Sequence, residues 1–191
     1  MACPRKLILV RHSESRPVED LPPAQWGLTR RGRIRCAKLA LYLRDYELQE
    51  LYASQERKAQ ETAALVAARL SLPVRTYPDL HEHVRVGAPF LPREQFVATI
   101  RTFFQNTDSL VFGSETASES YRRFARAIDL LVAQNERTDV AIVTHGTVIS
   151  LFVGAHSSWE PFDFWRRLRQ PGLVVFEIPS FSLARTAFTV S

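Results

Sequence analysis

Lys6-Leu7-Ile8-Leu9-Val10-Arg11-His12-Ser13 is the stretch on which the fold turns. Four apolar residues stand in a row without the alternation of a half-buried strand. Both faces must therefore be covered, as in a parallel sheet layered between helices. Arg11, His12 and Ser13 follow at once. A cation, an imidazole and a hydroxyl thus lie just past the carboxyl end of a buried strand, where open α/β sheets bind their ligands. The pattern recurs far downstream: Val140-Ala141-Ile142-Val143 is a second unbroken apolar run, ended by Thr144-His145-Gly146. Two histidines 133 positions apart occupy the same place relative to a strand, and a sheet can bring them together.

Outward from these runs, strands and helices alternate. Residues 6–10 form the first strand, and a Pro-rich loop passes through Leu21-Pro22-Pro23. Thr29 is placed to cap a helix reaching about Arg44. A strand over 50–54 precedes a helix over 57–70 that carries Ala59, Ala63, Val66 and Leu70 on one stripe. A strand over 74–77 follows. Residues 80–113 are the least regular part, with one helix over 93–104 presenting Phe96, Ile100 and Phe103. A helix over 118–134 buries Tyr121, Phe124, Ile128 and Leu131. The strand over 140–143 leads to a helix over 147–153, and 173–178 and 183–190 read as edge strands. This order predicts an α/β fold, a three-layer αβα sandwich with a mostly parallel central sheet.

The chain has 191 residues, 46% hydrophobic and 24% charged, which suits a single domain over 1–191. No apolar run is long enough to span a bilayer. The run at 7–10 is too short for a signal-peptide core, and Arg11-His12 follows it instead of a cleavage site. Cys3 and Cys36 make neither a disulfide framework nor a CxxC metal site, so a cytoplasmic location is expected. The net charge of +5 calls for an anionic partner. The basic residues are scattered (Arg30, Arg31, Arg33 and Arg35; Arg122 and Arg123; Arg166 and Arg167) with no RNP or finger spacing. They read as solvated helix faces. A small phosphorylated substrate is expected, with no nucleic-acid or membrane partner. Trp26, Trp159 and Trp165 read as core or rim aromatics, and oligomeric state is open.

Phosphoryl transfer needs an in-line nucleophile, cations on the nonbridging oxygens and a proton for the leaving group. Neutral imidazole on His12 is a nucleophile at pH 7. Arg11 grips phosphate oxygens as a bidentate fork. His145, if protonated, adds a charged donor. Glu82, in the loop after Pro78-Asp79-Leu80, is the candidate proton donor, its carboxyl raised by nearby phosphate and partial desolvation. Glu56, Glu94 and Glu115 are also available for that role. His81 and His83 flank Glu82; alternating spacing without cysteine favours solvent or substrate contact over a metal. Ser13 and Ser15 match no Ser-His-Asp triad or nucleophile elbow.

Leu9-Val10-Arg11-His12-Ser13-Glu14-Ser15 resembles the signature of the histidine phosphatase superfamily, the phosphoglycerate mutase-like clan. Further elements resemble the family's in order: Gly27-Leu28-Thr29 with Gly32 and Ala37; Tyr52-Ala53-Ser54 with Lys58-Ala59 and Thr62-Ala63; Leu80-His81-Glu82; Gly113-Ser114-Glu115; and Val143-Thr144-His145-Gly146. The resemblance implies that His12 is phosphorylated. Arg11, Lys58, His145 and the adjoining Gly146 would line the phosphate pocket. Glu82 would protonate the leaving oxygen and then deprotonate the hydrolytic water, with no metal or other cofactor. Three positions depart from the pattern. Ser13 stands for the usual Gly and adds a hydroxyl near the phosphate. Lys58 stands where Arg is commoner, which leaves Arg57 as an alternative ligand. Val18 stands where many members carry Asn. The function implied is hydrolysis of a phosphomonoester, on a small molecule or a phosphopeptide. Mutase-type transfer and a regulatory phosphate-binding module on the same fold are the alternatives, the first disfavoured by a chain without room for clamping insertions.

Overall fold

A computed structural model describes residues 5–87 and 89–190, so Cys3 lies outside the described residues. Strands β1 (Arg5–Arg11), β2 (Leu51–Ala53), β3 (Val74–Thr76), β4 (Val140–Thr144), β5 (Gly172–Ile178) and β6 (Ser182–Ala187) form one sheet. Their order is β3-β2-β4-β1-β5-β6. β1 to β4 are mutually parallel, and β5 runs antiparallel to both neighbours. The helices are α1 (Arg30–Leu43), α2 (Arg57–Leu70), α3 (Arg93–Gln105), α4 (Ala117–Gln134), α5 (Gly146–His156) and α6 (Pro161–Arg167).

Successive residues of a strand point to opposite faces, and here both faces are dry. Ile8 and Val10 of β1 and Ala141 and Val143 of β4 pack with Leu39 and Leu43 of α1 and Ala63 and Val66 of α2. Leu7, Leu9, Val140 and Ile142 face the other way, onto Phe124 and Ile128 of α4 and Val148 and Phe152 of α5. The three layers follow from that alternation. α5 is apolar all round because α4, α6 and the sheet cover it. Thr29 caps α1, accepting from Gly32 N at 2.9 Å, as the sequence indicates. Thr116 and Glu119 close a capping box on α4, a device that stabilises by about 1 kcal/mol. No helix among the described residues is long and apolar enough to cross a membrane.

Two expectations need correcting. Residues 173–178 are not an edge strand: β5 sits between β1 and β6 and is buried along nearly its whole length. Four apolar residues in a row, Leu173 to Phe176, mark a strand covered on both faces, the same signal as in β1. The true edges are the three-residue β3 and the largely exposed β6. α6 went unread, although Pro161 at its first position and Glu160 accepting from Asp163 N are ordinary helix-start chemistry.

Candidate active site

Arg11, the last residue of β1, pairs with Thr144, the last of β4. His12 N donates to Thr144 O at 2.9 Å. The two histidines therefore leave adjacent strands side by side, with ring centroids 5.2 Å apart. His12 Nδ1 lies 2.7 Å from the carbonyl oxygen of Ser13. A carbonyl only accepts, so Nδ1 carries the proton and Nε2 keeps its lone pair. Burial, followed by the nearby cations Lys58 and Arg11, holds His12 well below the usual imidazole range. Neutral imidazole with its proton on Nδ1 is thus the form at neutral pH.

His145 is fully buried. Its Nε2 is 2.8 Å from Ser54 Oγ and 3.5 Å from Glu56 Oε1, while Nδ1 is buried without a partner. Burial and then Lys58 push its pKa well down. Protonation, the condition for His145 to act as a charged donor, is therefore disfavoured.

The cations are fixed by packing. Arg11 donates to Leu168 O from one terminal nitrogen and leaves its buried Nε without a partner. Burial lowers its pKa to about 10, still protonated near neutrality. Gly146 is what lets the guanidinium lie there, because a Cβ on it would stand 2.9 Å from Arg11 Cζ. Lys58 is buried at the start of α2, ion-paired with Glu56 and donating to Pro23 O at 2.7 Å. Removing one partner of such a pair costs about 3–5 kcal/mol. Arg57 points elsewhere. It is 60% exposed and bonds Glu61 Oε1 at 2.9 Å, so the structure does not bring it to the site. Ser13 is also turned away: its Oγ donates to Gly32 O at 2.8 Å and its N–H to Thr62 Oγ1 at 3.0 Å. The hydroxyl is consumed by α1, not offered to a phosphate.

Glu82 is held from three sides. Its N–H donates to Glu56 Oε1 at 2.8 Å, and its carboxylate accepts from Thr147 N at 3.1 Å and Val148 N at 3.3 Å. It thus caps the N-terminus of α5, where negative charge is favoured. Burial and neighbouring Glu56 push its pKa up, but Arg85 and the Thr147 N–H outweigh this and hold it below the usual carboxylate range. The expected raised value is not found.

A cavity of about 480 Å3 opens beside these groups, lined by Arg11, His12, Glu56, Lys58, His81 and Glu82 among others. Two lining residues escaped the sequence reading. Arg85 lies 3.9 Å from Glu82 Oε2 with its buried Nε unpartnered. Gln170 Nε2 lies 3.4 Å from His12 Nε2. Both are on irregular segments, where no periodicity shows direction. His83 is not at solvent: it is buried between Phe103 and Phe112, with Nε2 3.0 Å from Glu115 O, although it also forms part of the cavity wall. Trp26 and Trp165 stand on the rim, and Trp159 packs on Phe164 and Phe188. Val18 does not line the cavity; its carbonyl accepts from Trp26 Nε1 at 3.0 Å.

Gly146→Ala tests the seat of Arg11. Gly146 opens α5 without the positive φ that favours glycine, so alanine meets no backbone penalty there and stability should hold. The added Cβ displaces the guanidinium, and a misplacement of about 1 Å costs up to about 100-fold in turnover. A loss of phosphate-ester hydrolysis of about 10–100-fold with unchanged Tm is expected. Full activity would remove Arg11 from the pocket.

The fold recurs among proteins of known structure. No curated protein matches the sequence. Among solved structures, Entamoeba histolytica phosphoserine phosphatase in complex with 3-phosphoglyceric acid superposes with a TM-score of 0.76 at 22% identity, over 97% of this chain and 98% of that one. Shigella flexneri alpha-ribazole phosphatase gives 0.73 at 22%, over 97% of each chain. Mycobacterial glucosyl-3-phosphoglycerate phosphatase gives 0.73 at 18%, over 98% and 99%. At these identities they share the fold. The family model for the histidine phosphatase superfamily (branch 1) matches residues 7–180, nearly the whole chain and every element of the site, and the chain belongs to that superfamily.

Proposed function

We propose that the chain, acting as one domain, is a metal-independent phosphatase that hydrolyses phosphomonoesters through a phosphohistidine on His12. The observation that carries this is the His12 ring: Nδ1 is tied to Ser13 O, which leaves the lone pair on Nε2, approached at 3.4 Å by the Gln170 amide, in a cavity that Arg11 and Lys58 also line. In the first step Nε2 bonds to phosphorus as the bond to the leaving oxygen breaks. Arg11, Lys58 and Arg85 balance the charge on the nonbridging oxygens, and Glu82, protonated once phosphate is bound, passes its proton to the leaving oxygen. In the second step Glu82 takes a proton from water, whose oxygen bonds to phosphorus as the Nε2–P bond breaks. The cycle restores every group. Positive charge comes from side chains, so no metal or cofactor enters the reading. The substrate is a phosphorylated small molecule or a phosphopeptide. Phosphatase names among the structural relatives support hydrolysis over mutase transfer. The buried free thiol of Cys36 suits the reducing cytoplasm, which is the location proposed.

Hydrolysis of p-nitrophenyl phosphate in excess chelator is the direct test. The rate should match that without chelator. Activity lost to chelator and restored by a divalent cation would overturn the metal-independent reading, and no hydrolysis under any condition would overturn the phosphatase.

A further inference from the structure

A second cavity of about 750 Å3 adjoins the first. The two share Pro22, Trp26, Arg85, Val86 and Phe96 among their walls. Proline-rich loops on either side hold apolar groups open to water: Leu21 is 39% exposed, Val86 73% and Phe90 54%. Exposed apolar side chains scattered singly mean little, but several around one concavity mark a binding surface.

In-line transfer fixes the direction in which a leaving group departs. Its oxygen must lie opposite His12 Nε2 and next to Glu82. Arg85, 3.9 Å from Glu82, borders both cavities, with its guanidinium stacked on Phe96 at 4.7 Å. A group attached to the leaving oxygen therefore passes Arg85 into the second cavity. Beyond Arg85, the charged groups there are Glu19, Asp20 and Arg93, two acids against one base. They offer no positive field to a second anion.

We propose that this cleft receives the leaving alcohol, and that the substrate is a small phosphomonoester whose alcohol part is large and apolar with no second anionic group. The proposal rests on the phosphatase reading, so it is tested by binding of n-alkylphosphonates, whose C–P bond is not hydrolysed. By calorimetry, affinity should rise about threefold per added methylene and on the order of 100-fold from propyl- to octylphosphonate. Phe90→Ser, at an exposed position outside the phosphate pocket, should cut the octyl-to-propyl ratio about tenfold. Equal affinity along the series overturns the proposal whatever the enzyme hydrolyses. So does a rise that both Phe90→Ser and Leu21→Ser leave untouched, or tighter binding of a phosphotyrosyl peptide with charged flanks. A chain-length rise that Phe90→Ser collapses, in a protein that hydrolyses no ester, supports the cleft and rejects the phosphatase reading.

Discussion

His12→Ala is expected to lose activity by a factor on the order of 10⁴ or more, the scale on which nucleophile removal acts when the rest of a site survives. No neighbour can substitute. His145 presents Nε2 to Ser54 and Glu56, and Ser13 spends its hydroxyl on Gly32 O. The labelled intermediate separates this from mere damage. Brief mixing with labelled substrate and a neutral quench should leave label on the wild-type protein, stable in base and lost in acid, as for a phosphoramidate. Phosphoserine shows the opposite stability. The variant should carry none while keeping its circular dichroism, because the lost ring stands past the end of β1 and not inside it. Retained turnover in the folded variant, or a base-labile label, would reject the nucleophile.

Glu82→Gln is expected to discriminate between substrates. Alkoxide leaves poorly and needs the proton, so alkyl esters should slow by about 10²–10⁴-fold. Aryl esters, which leave as stabilised phenolates, should slow far less in the first step and accumulate phospho-His12, since the water then lacks its base. The pH profile adds a signed check. With Glu82 held low by Arg85 and the Thr147 N–H against the opposing push of burial, its proton becomes scarcer as pH rises. The wild-type advantage over the variant on alkyl esters should therefore shrink with rising pH. Equal slowing of alkyl and aryl esters would remove the proton-donor role and leave His12 untouched.

The sequence was most legible where a single period governs. Doubly buried runs located β1 and β4, and the stripe through Ala59, Ala63 and Val66 matches α2 at both ends. The same period separates the two cations at the helix start: Lys58 stands four residues before buried Thr62 and turns inward, whereas Arg57 stands four before Glu61, which it bonds instead. Arg85 and the fixed cap of Glu82 on α5 belong to residues 80–113, whose path is set by distant groups. Arg123 donates to Asp79 O at 2.7 Å and His81 O at 3.1 Å while pairing with Glu115, which in turn accepts from Val84 N. Charge states were the least legible of all. A histidine's spacing carries no record of the burial that keeps His145 neutral.

The register of β1 against β4 has a consequence for folding. His12 and His145 are neighbours only because Arg11 faces Thr144, and that pairing closes a loop of more than 130 residues. Loop closure of this length is slow, and its entropy must be lost before any contact rewards it. No local fragment can hold a working pair of histidines, so catalytic competence is a property of the completed chain and emerges late. Partly assembled forms should be inert, not weakly active. Recovery of phosphate-ester hydrolysis during refolding should then track burial of the central strands, making turnover a sensitive clock for the slowest long-range event in the chain.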